Sequence, residues 1–77
     1  RTQDFKQAGD LYRAYSKDEQ RDLVNSFGQS LAVADDQSKH IMLSFLYKAD
    51  AEYGTRVSKV AKGDLQRVKA LAAELAD

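Results

Sequence analysis

The 77-residue sequence has no cysteine and no proline, and it has only one histidine and one methionine. Without cysteine, neither a disulfide nor a thiolate metal site can supplement the core, and the redox compartment stays open. Average usage would place roughly four prolines in such a chain. Their absence suits an all-helical chain, because proline breaks helix interiors. Charge of one sign is also lacking. Twelve Lys and Arg balance twelve Asp and Glu, giving a net charge of zero, so there is no electrostatic case for binding nucleic acid or an anionic membrane. No apolar run approaches the roughly 20 residues of a membrane span, and no signal-peptide pattern is present. A chain of this size makes one small domain with a marginal core, which partners often supplement. It begins with Arg1 and its only methionine is Met42, as expected of a piece of a longer polypeptide or of a processed product.

What is present is a succession of helix signals. The expected fold class is all-α, a small bundle of four helices plus a C-terminal fifth. Residues 1–5 read as an incoming extended segment or loop. A first helix over about Lys6–Tyr15 places Ala8, Leu11, Tyr12 and Tyr15 at helical spacing, although Gly9 weakens it. Ser16-Lys17-Asp18-Glu19 reads as a capping box. It opens a second helix to about Val33, with Leu23, Val24, Phe27, Leu31 and Ala34 as the buried stripe and Gly28 at its border, where a helix could approach closely. Asp36 is the expected N-cap of a third helix. This helix carries Ile41, Met42, Phe45, Leu46 and Ala49, the broadest apolar face in the chain, which predicts a central helix buried on that face. On this basis Phe45→Ala is expected to cost about 3 kcal/mol. Asp50 caps a fourth helix over about Ala51–Ala61, with Tyr53, Val57 and Val60 inside. Glu52 and Arg56 form an i, i+4 pair worth a few tenths of a kcal/mol. Gly63 breaks the pattern, and Asp64 caps a fifth helix with Leu65, Val68, Leu71, Ala72 and Leu75 on one face.

Each candidate for chemistry has a stronger structural explanation. His40 and Asp36 share a helix side, but two ligands make a poor metal site, and a surface or helix-start histidine is expected instead. The acidic pairs Asp18/Glu19 and Asp35/Asp36 fall at helix starts, where capping and the macrodipole account for them. Gly9, Gly28, Gly54 and Gly63 form no phosphate-binding loop. No serine has triad partners. Arg56, Lys59, Lys62, Arg67 and Lys69 read as a solvated basic ridge. Tyr12, Tyr15, Tyr47 and Tyr53 read as packing residues with hydroxyls at the rim. Composition and spacing therefore end at a small helical domain without a catalytic constellation.

Two phrases go further. Phe5-Lys6-Gln7-Ala8-Gly9-Asp10-Leu11-Tyr12-Arg13 is similar to the F-x-Q-A-G-D-L-Y-R phrase that opens the C-terminal helical region of monofunctional haem catalases. Phe45-Leu46-Tyr47-Lys48-Ala49-Asp50-Ala51-Glu52-Tyr53-Gly54 resembles that family's F-Y-K-A-D-P-x-Y-G phrase. The two occur in the family's order and at about its separation. Leu46 is an added residue. Ala51 replaces a proline that suits a first helical position. The resemblance covers about residues 3–62, so it divides the chain into a catalase-type C-terminal helical domain, 1–62, and a C-terminal helical extension, 63–77.

The resemblance implies a parent enzyme that disproportionates hydrogen peroxide with a haem held in a β-barrel domain upstream, on which the helical region packs. It implies a cytoplasmic homo-oligomer, a tetramer in the family. In members that hold NADPH, one face of the first helix contacts the nucleotide, at positions that correspond here to Gln7, Leu11 and Tyr15. Gln7 matches the family, whereas Leu11 and Tyr15 differ from the aromatic and aliphatic residues expected there in some members. The family's haem-site residues lie outside this region, so the isolated chain is expected to bind no haem and to leave peroxide untouched. Two other readings compete: a free-standing helical interaction module that docks a partner on the third-helix face, and, least supported, a self-contained enzyme.

Overall fold

The computed structural model describes residues 2–75. Among them are five helices and no strand: α1 Thr2–Ala14, α2 Lys17–Ala32, α3 Asp36–Ala49, α4 Ala51–Ala61 and α5 Leu65–Glu74. The all-α expectation holds. The first boundary does not: α1 begins at Thr2, so residues 2–5 are helical rather than extended. Neither glycine nor proline occurs there to stop a helix. At the other end α1 stops at Ala14, and the Tyr15 amide closes back on the Tyr12 carbonyl at 3.3 Å.

Short polar caps set each chain reversal. The capping box at Ser16 forms in both directions, with the Glu19 amide donating to Ser16 Oγ at 3.1 Å and the Ser16 amide donating to Glu19 Oε1 at 2.8 Å. At α3 the N-cap is Asp35, not Asp36. Asp35 has extended backbone and accepts the Ser38 amide at 3.0 Å. Asp36 is the first helical residue, and its carboxylate instead accepts from Arg67 Nη1 of α5 at 2.6 Å. Asp50 caps α4 through the Tyr53 amide at 3.1 Å, and Asp64 caps α5 through the amides of Gln66 and Arg67. Helix α4 ends on Lys62 in the left-handed region, φ 60°, which places the turn one residue before Gly63.

Helix α3 is central, packing against α1, α4 and α5, while α2 packs on α4. The core joins Tyr12 of α1, Val24 and Leu31 of α2, Leu43 and Leu46 of α3, Tyr53, Val57 and Ala61 of α4, and Val68 of α5. Leu23, Phe27, Tyr47, Val60 and Leu65 pack around it, half-buried. The buried face of α3 matches the one its apolar pattern predicts only at Leu46, which lies in the core. Ile41, Met42 and Phe45 are 41%, 38% and 37% exposed, and the core-facing residues are His40, Leu43, Ser44 and Leu46. Two of those four are polar and both are satisfied, Ser44 Oγ donating to the Ile41 carbonyl of its own helix at 2.6 Å and His40 bonding the Asp36 carbonyl and the Asp64 amide. A buried stripe that is half polar carries a weaker hydrophobic signal than the exposed face beside it.

Two glycines let helices meet closely. A Cβ on Gly54 would stand 2.4 Å from Tyr47 Cα and 2.5 Å from the Tyr47 amide nitrogen, where α4 crosses α3. A Cβ on Gly28 would stand 2.4 Å from Val60 Cβ, where α2 crosses α4, as its position at the border of the α2 stripe suggests.

Candidate functional site

Two of the polar clusters that the fold brings together were not legible as clusters in the sequence. The first centres on Tyr12, which is 1% exposed although it sits on the first helix of a small bundle. Its ring stacks on Tyr53 with centroids 4.5 Å apart. Its hydroxyl donates to Glu52 Oε2 at 2.5 Å and accepts from Arg56 Nη1 at 2.7 Å. The Arg56 guanidinium also lies 5.9 Å from the Tyr12 ring centroid, within range of a cation–π contact. Gln20 completes the cluster, donating to the Tyr12 carbonyl at 2.8 Å and accepting from Arg56 at 3.4 Å. Burial, followed by the Glu52 carboxylate, holds the Tyr12 phenol above its ordinary range, while Arg56 opposes the shift. Burial likewise raises Tyr53. Both phenols therefore stay neutral near pH 7, and Tyr12 acts as a donor that ties α1 to α4. The expected Glu52–Arg56 pair is present at 3.8 Å, but its role is to flank this hydroxyl. Beside it an open cleft of about 310 Å³ is lined by Lys17, Gln20, Glu52 and Arg56.

The second cluster centres on His40. It is 3% exposed, so of the two expectations, a surface or a helix-start histidine, the surface one does not hold. Nδ1 lies 2.8 Å from the Asp36 carbonyl oxygen, and Nε2 accepts the Asp64 amide at 3.0 Å. Both bonds together require the proton on Nδ1. The ring thus joins the first turn of α3 to the start of α5, and the Arg67–Asp36 ion pair closes the same junction from outside. The only acceptor lone pair of the ring is used, so it has none left for a metal.

The three residues matched to a nucleotide-contacting face sit together only in part. Gln7 and Leu11 are exposed on α1, and Tyr15 is half-buried just past its end. None of them lines the Lys17–Arg56 cleft or the second cleft, which is formed by Tyr47, Lys48, Lys69, Ala72 and Ala73. Of the expected basic ridge, Arg56 turns inward to Tyr12 and Arg67 pairs with Asp36, while Lys59 and Lys62 are exposed. The second catalase-like phrase has a clear structural purpose: Asp50 caps α4 and also receives Arg13 Nη1 of the first phrase at 2.7 Å, joining the two phrases in space.

A haem would need an axial ligand and an apolar enclosure. His40 and the Tyr12 hydroxyl are both committed to hydrogen bonds, and the two clefts are open and bordered by charged residues. Among the described residues there is also no group of three or more His, Asp or Glu able to hold a metal ion, and no buried side-chain polar atom lacks a hydrogen-bond partner.

These features define a class, a small all-α domain whose polar clusters hold helices together. Residues 1–61 match the catalase-related immune-responsive family, and the chain belongs to that family. Its whole length aligns at 64% identity with a catalase of Pseudomonas syringae pv. syringae and at 58% with a catalase of Pseudomonas aeruginosa. Over 70 residues, 90% of the chain, it is 44% identical to a catalase of Vibrio vulnificus. The chain spans 15% of the length of the two Pseudomonas proteins and 14% of the Vibrio protein. The Pseudomonas alignments run through α5, beyond the end of the family match.

Proposed function

We propose that this chain is the C-terminal helical domain of a haem catalase and that its parent polypeptide disproportionates hydrogen peroxide to water and oxygen. The observation that carries this reading is the end-to-end alignment, at 64% and 58% identity, with a small fraction of two catalases. The domain packs on a haem-binding barrel in the rest of the polypeptide, and the parent is a cytoplasmic homo-oligomer. No helix among the described residues is long and apolar enough to cross a membrane, and the balanced charge gives no reason to invoke nucleic acid. Haem is the parent's cofactor and lies outside these residues. The C-terminal helical extension, 63–77, supports the domain by seating Val68 against α3.

NADPH is the second cofactor proposed for the parent, with Gln7, Leu11 and Tyr15 as one wall of its site. Gln7 offers an amide donor and acceptor, and Leu11 offers exposed apolar surface. The opposite wall would come from the rest of the polypeptide, since these residues line no enclosed cavity.

One experiment compares the isolated chain with the full polypeptide for haemin titration, peroxide turnover and NADPH fluorescence. The isolated chain is expected to give no saturable Soret shift and no turnover above free haemin. The full polypeptide is expected to bind haem, consume peroxide and enhance NADPH emission. Turnover by the isolated chain would overturn the reading, and so would a full polypeptide inert to peroxide. Unchanged NADPH emission would remove only the nucleotide assignment.

A further inference from the structure

The bonds made by His40 exclude a second proton from its ring. Nδ1 lies 2.8 Å from the Asp36 carbonyl oxygen, and Nε2 accepts the Asp64 amide at 3.0 Å. A carbonyl only accepts and an amide N–H only donates, so both bonds hold only for the neutral ring. A protonated ring carries N–H at both nitrogens. Its Nε2–H would face the Asp64 N–H, leaving two buried donors without an acceptor. The junction is too tight for either to turn away. The ring is 3% exposed. The turn that carries the amide lies hard against α3, where a Cβ on Gly63 would stand 2.6 Å from Leu43 Cδ1 and 3.7 Å from His40 Nε2. The Gly63 amide is itself held by the Ser58 carbonyl at 2.9 Å. The charged groups around this junction are Asp35, Asp36 and Lys39 on the α3 side, Lys59 and Lys62 at the end of α4, and Asp64 and Arg67 at the start of α5. Asp36 Oδ1 lies 3.6 Å from Nδ1, on the side already served by a carbonyl, and Asp36 is also bound by Arg67. The Asp64 carboxylate accepts the amides of Gln66 and Arg67, and Asp35 accepts that of Ser38. None of these three carboxylates receives a proton on Nε2.

We propose that His40 is an acid-sensitive latch, whose protonation releases the start of α5 from α3. The latched form holds one ring proton and the open form accepts a second. The proton therefore acts as a ligand of the open form and drives opening as the pH falls. Opening uncovers Val68 and Leu43, both fully buried in the latched form. It also draws Arg67 away from Asp36, since that ion pair spans the same two helices. Histidine side chains change charge between about pH 5 and 8, and aspartates below that range, so the chosen pH separates the latch from the carboxylates beside it.

Amide hydrogen exchange of the full polypeptide, read by mass spectrometry from about pH 8 to about pH 5 and corrected for the intrinsic rate at each pH, reports this opening. The amides of α5 are expected to lose protection about tenfold or more on acidification, while those of α2 keep theirs. Slow deuteration at the imidazole carbon between the two nitrogens follows the titration of His40 itself, and its midpoint should coincide with that of the α5 loss. His40→Gln replaces the ring with an amide that does not titrate, so α5 protection in that variant should no longer depend on pH. Unchanged α5 protection in the native polypeptide, or an equal loss in α5 and α2, would overturn the latch. A pH response that persists in His40→Gln would overturn it as well. Where circular dichroism shows that variant to be unfolded, the native polypeptide decides: coincident midpoints support the latch, and separate midpoints sink it.

Discussion

Tyr12 and His40 carry out at single positions what a larger protein spreads over many contacts. Each is an amphipathic ring with its body in the core and its polar atoms bound to another element, Tyr12 to Glu52 and Arg56 of α4 and His40 to the Asp64 amide at the start of α5. A buried polar atom left without a partner costs about 1–3 kcal/mol, so each ring specifies one arrangement of helices as well as stabilising it. The same logic ranks the apolar residues of α3. Leu43 is fully buried in the core, so Leu43→Ala is expected to cost about 2–5 kcal/mol. Phe45 keeps more than a third of its surface in water. The figure of about 3 kcal/mol that its apolar neighbourhood suggests is therefore too large, and partial burial predicts about 1–2 kcal/mol in the isolated chain. Urea denaturation of both variants checks the order, which would be refuted by a larger loss for Phe45→Ala than for Leu43→Ala.

At the scale of elements, the helices are stopped by their caps and spaced by their glycines. Ser16, Asp35, Asp50 and Asp64 each accept an amide from the first turn of the following helix, which is where four amides lack intrahelical partners. The α3–α4 crossing shows why helix propensity alone does not choose the residue. Alanine at position 54 would favour the isolated helix by about 1 kcal/mol. Its Cβ would meet the Tyr47 backbone, which cannot rotate aside as a side chain could, so the two helices must separate. Overpacking of this kind costs about 1–3 kcal/mol. Gly54→Ala is expected to lower the melting temperature despite its better propensity, and a raised melting temperature would show that the crossing is looser than described.

For the whole molecule, exposed carboxylates couple stability to acid. A backbone bond from Ser38 holds Asp35 below the ordinary carboxylate range, and Arg67 does the same for Asp36. Asp10 is lowered by Arg13 and then by Lys6. A carboxyl with a lower pKa in the folded than in the unfolded state stabilises the fold above its unfolded value, and this contribution is lost as the pH falls through the folded value. The urea midpoint is therefore expected to fall on acidification below about pH 4, the ordinary aspartate value. Asp35→Asn with Asp36→Asn removes two titrating groups while asparagine keeps a capping oxygen, and should flatten that fall. A midpoint equally acid-sensitive in the double variant would place the effect on other carboxylates.

The sequence by itself determined that the chain is helical, where α2, α4 and α5 begin, and which family it belongs to. Caps and periodic stripes act within a few residues of each other, so local pattern is enough to reveal them. The phrase around Asp50 was legible for the same reason, since its capping role lies within one turn. What only the tertiary structure decided is which side of α3 faces inward, that Tyr12 sits between Glu52 and Arg56 some 40 residues later, and that His40 is buried at the start of α5. Each of these depends on partners distant in sequence. Hydrophobic periodicity records how apolar a face is, not whether another element covers it. On α3 the covered face contains His40 and Ser44, whose polar atoms are satisfied by carbonyls of their own helix and by the Asp64 amide, while Ile41, Met42 and Phe45 keep part of their surface in water.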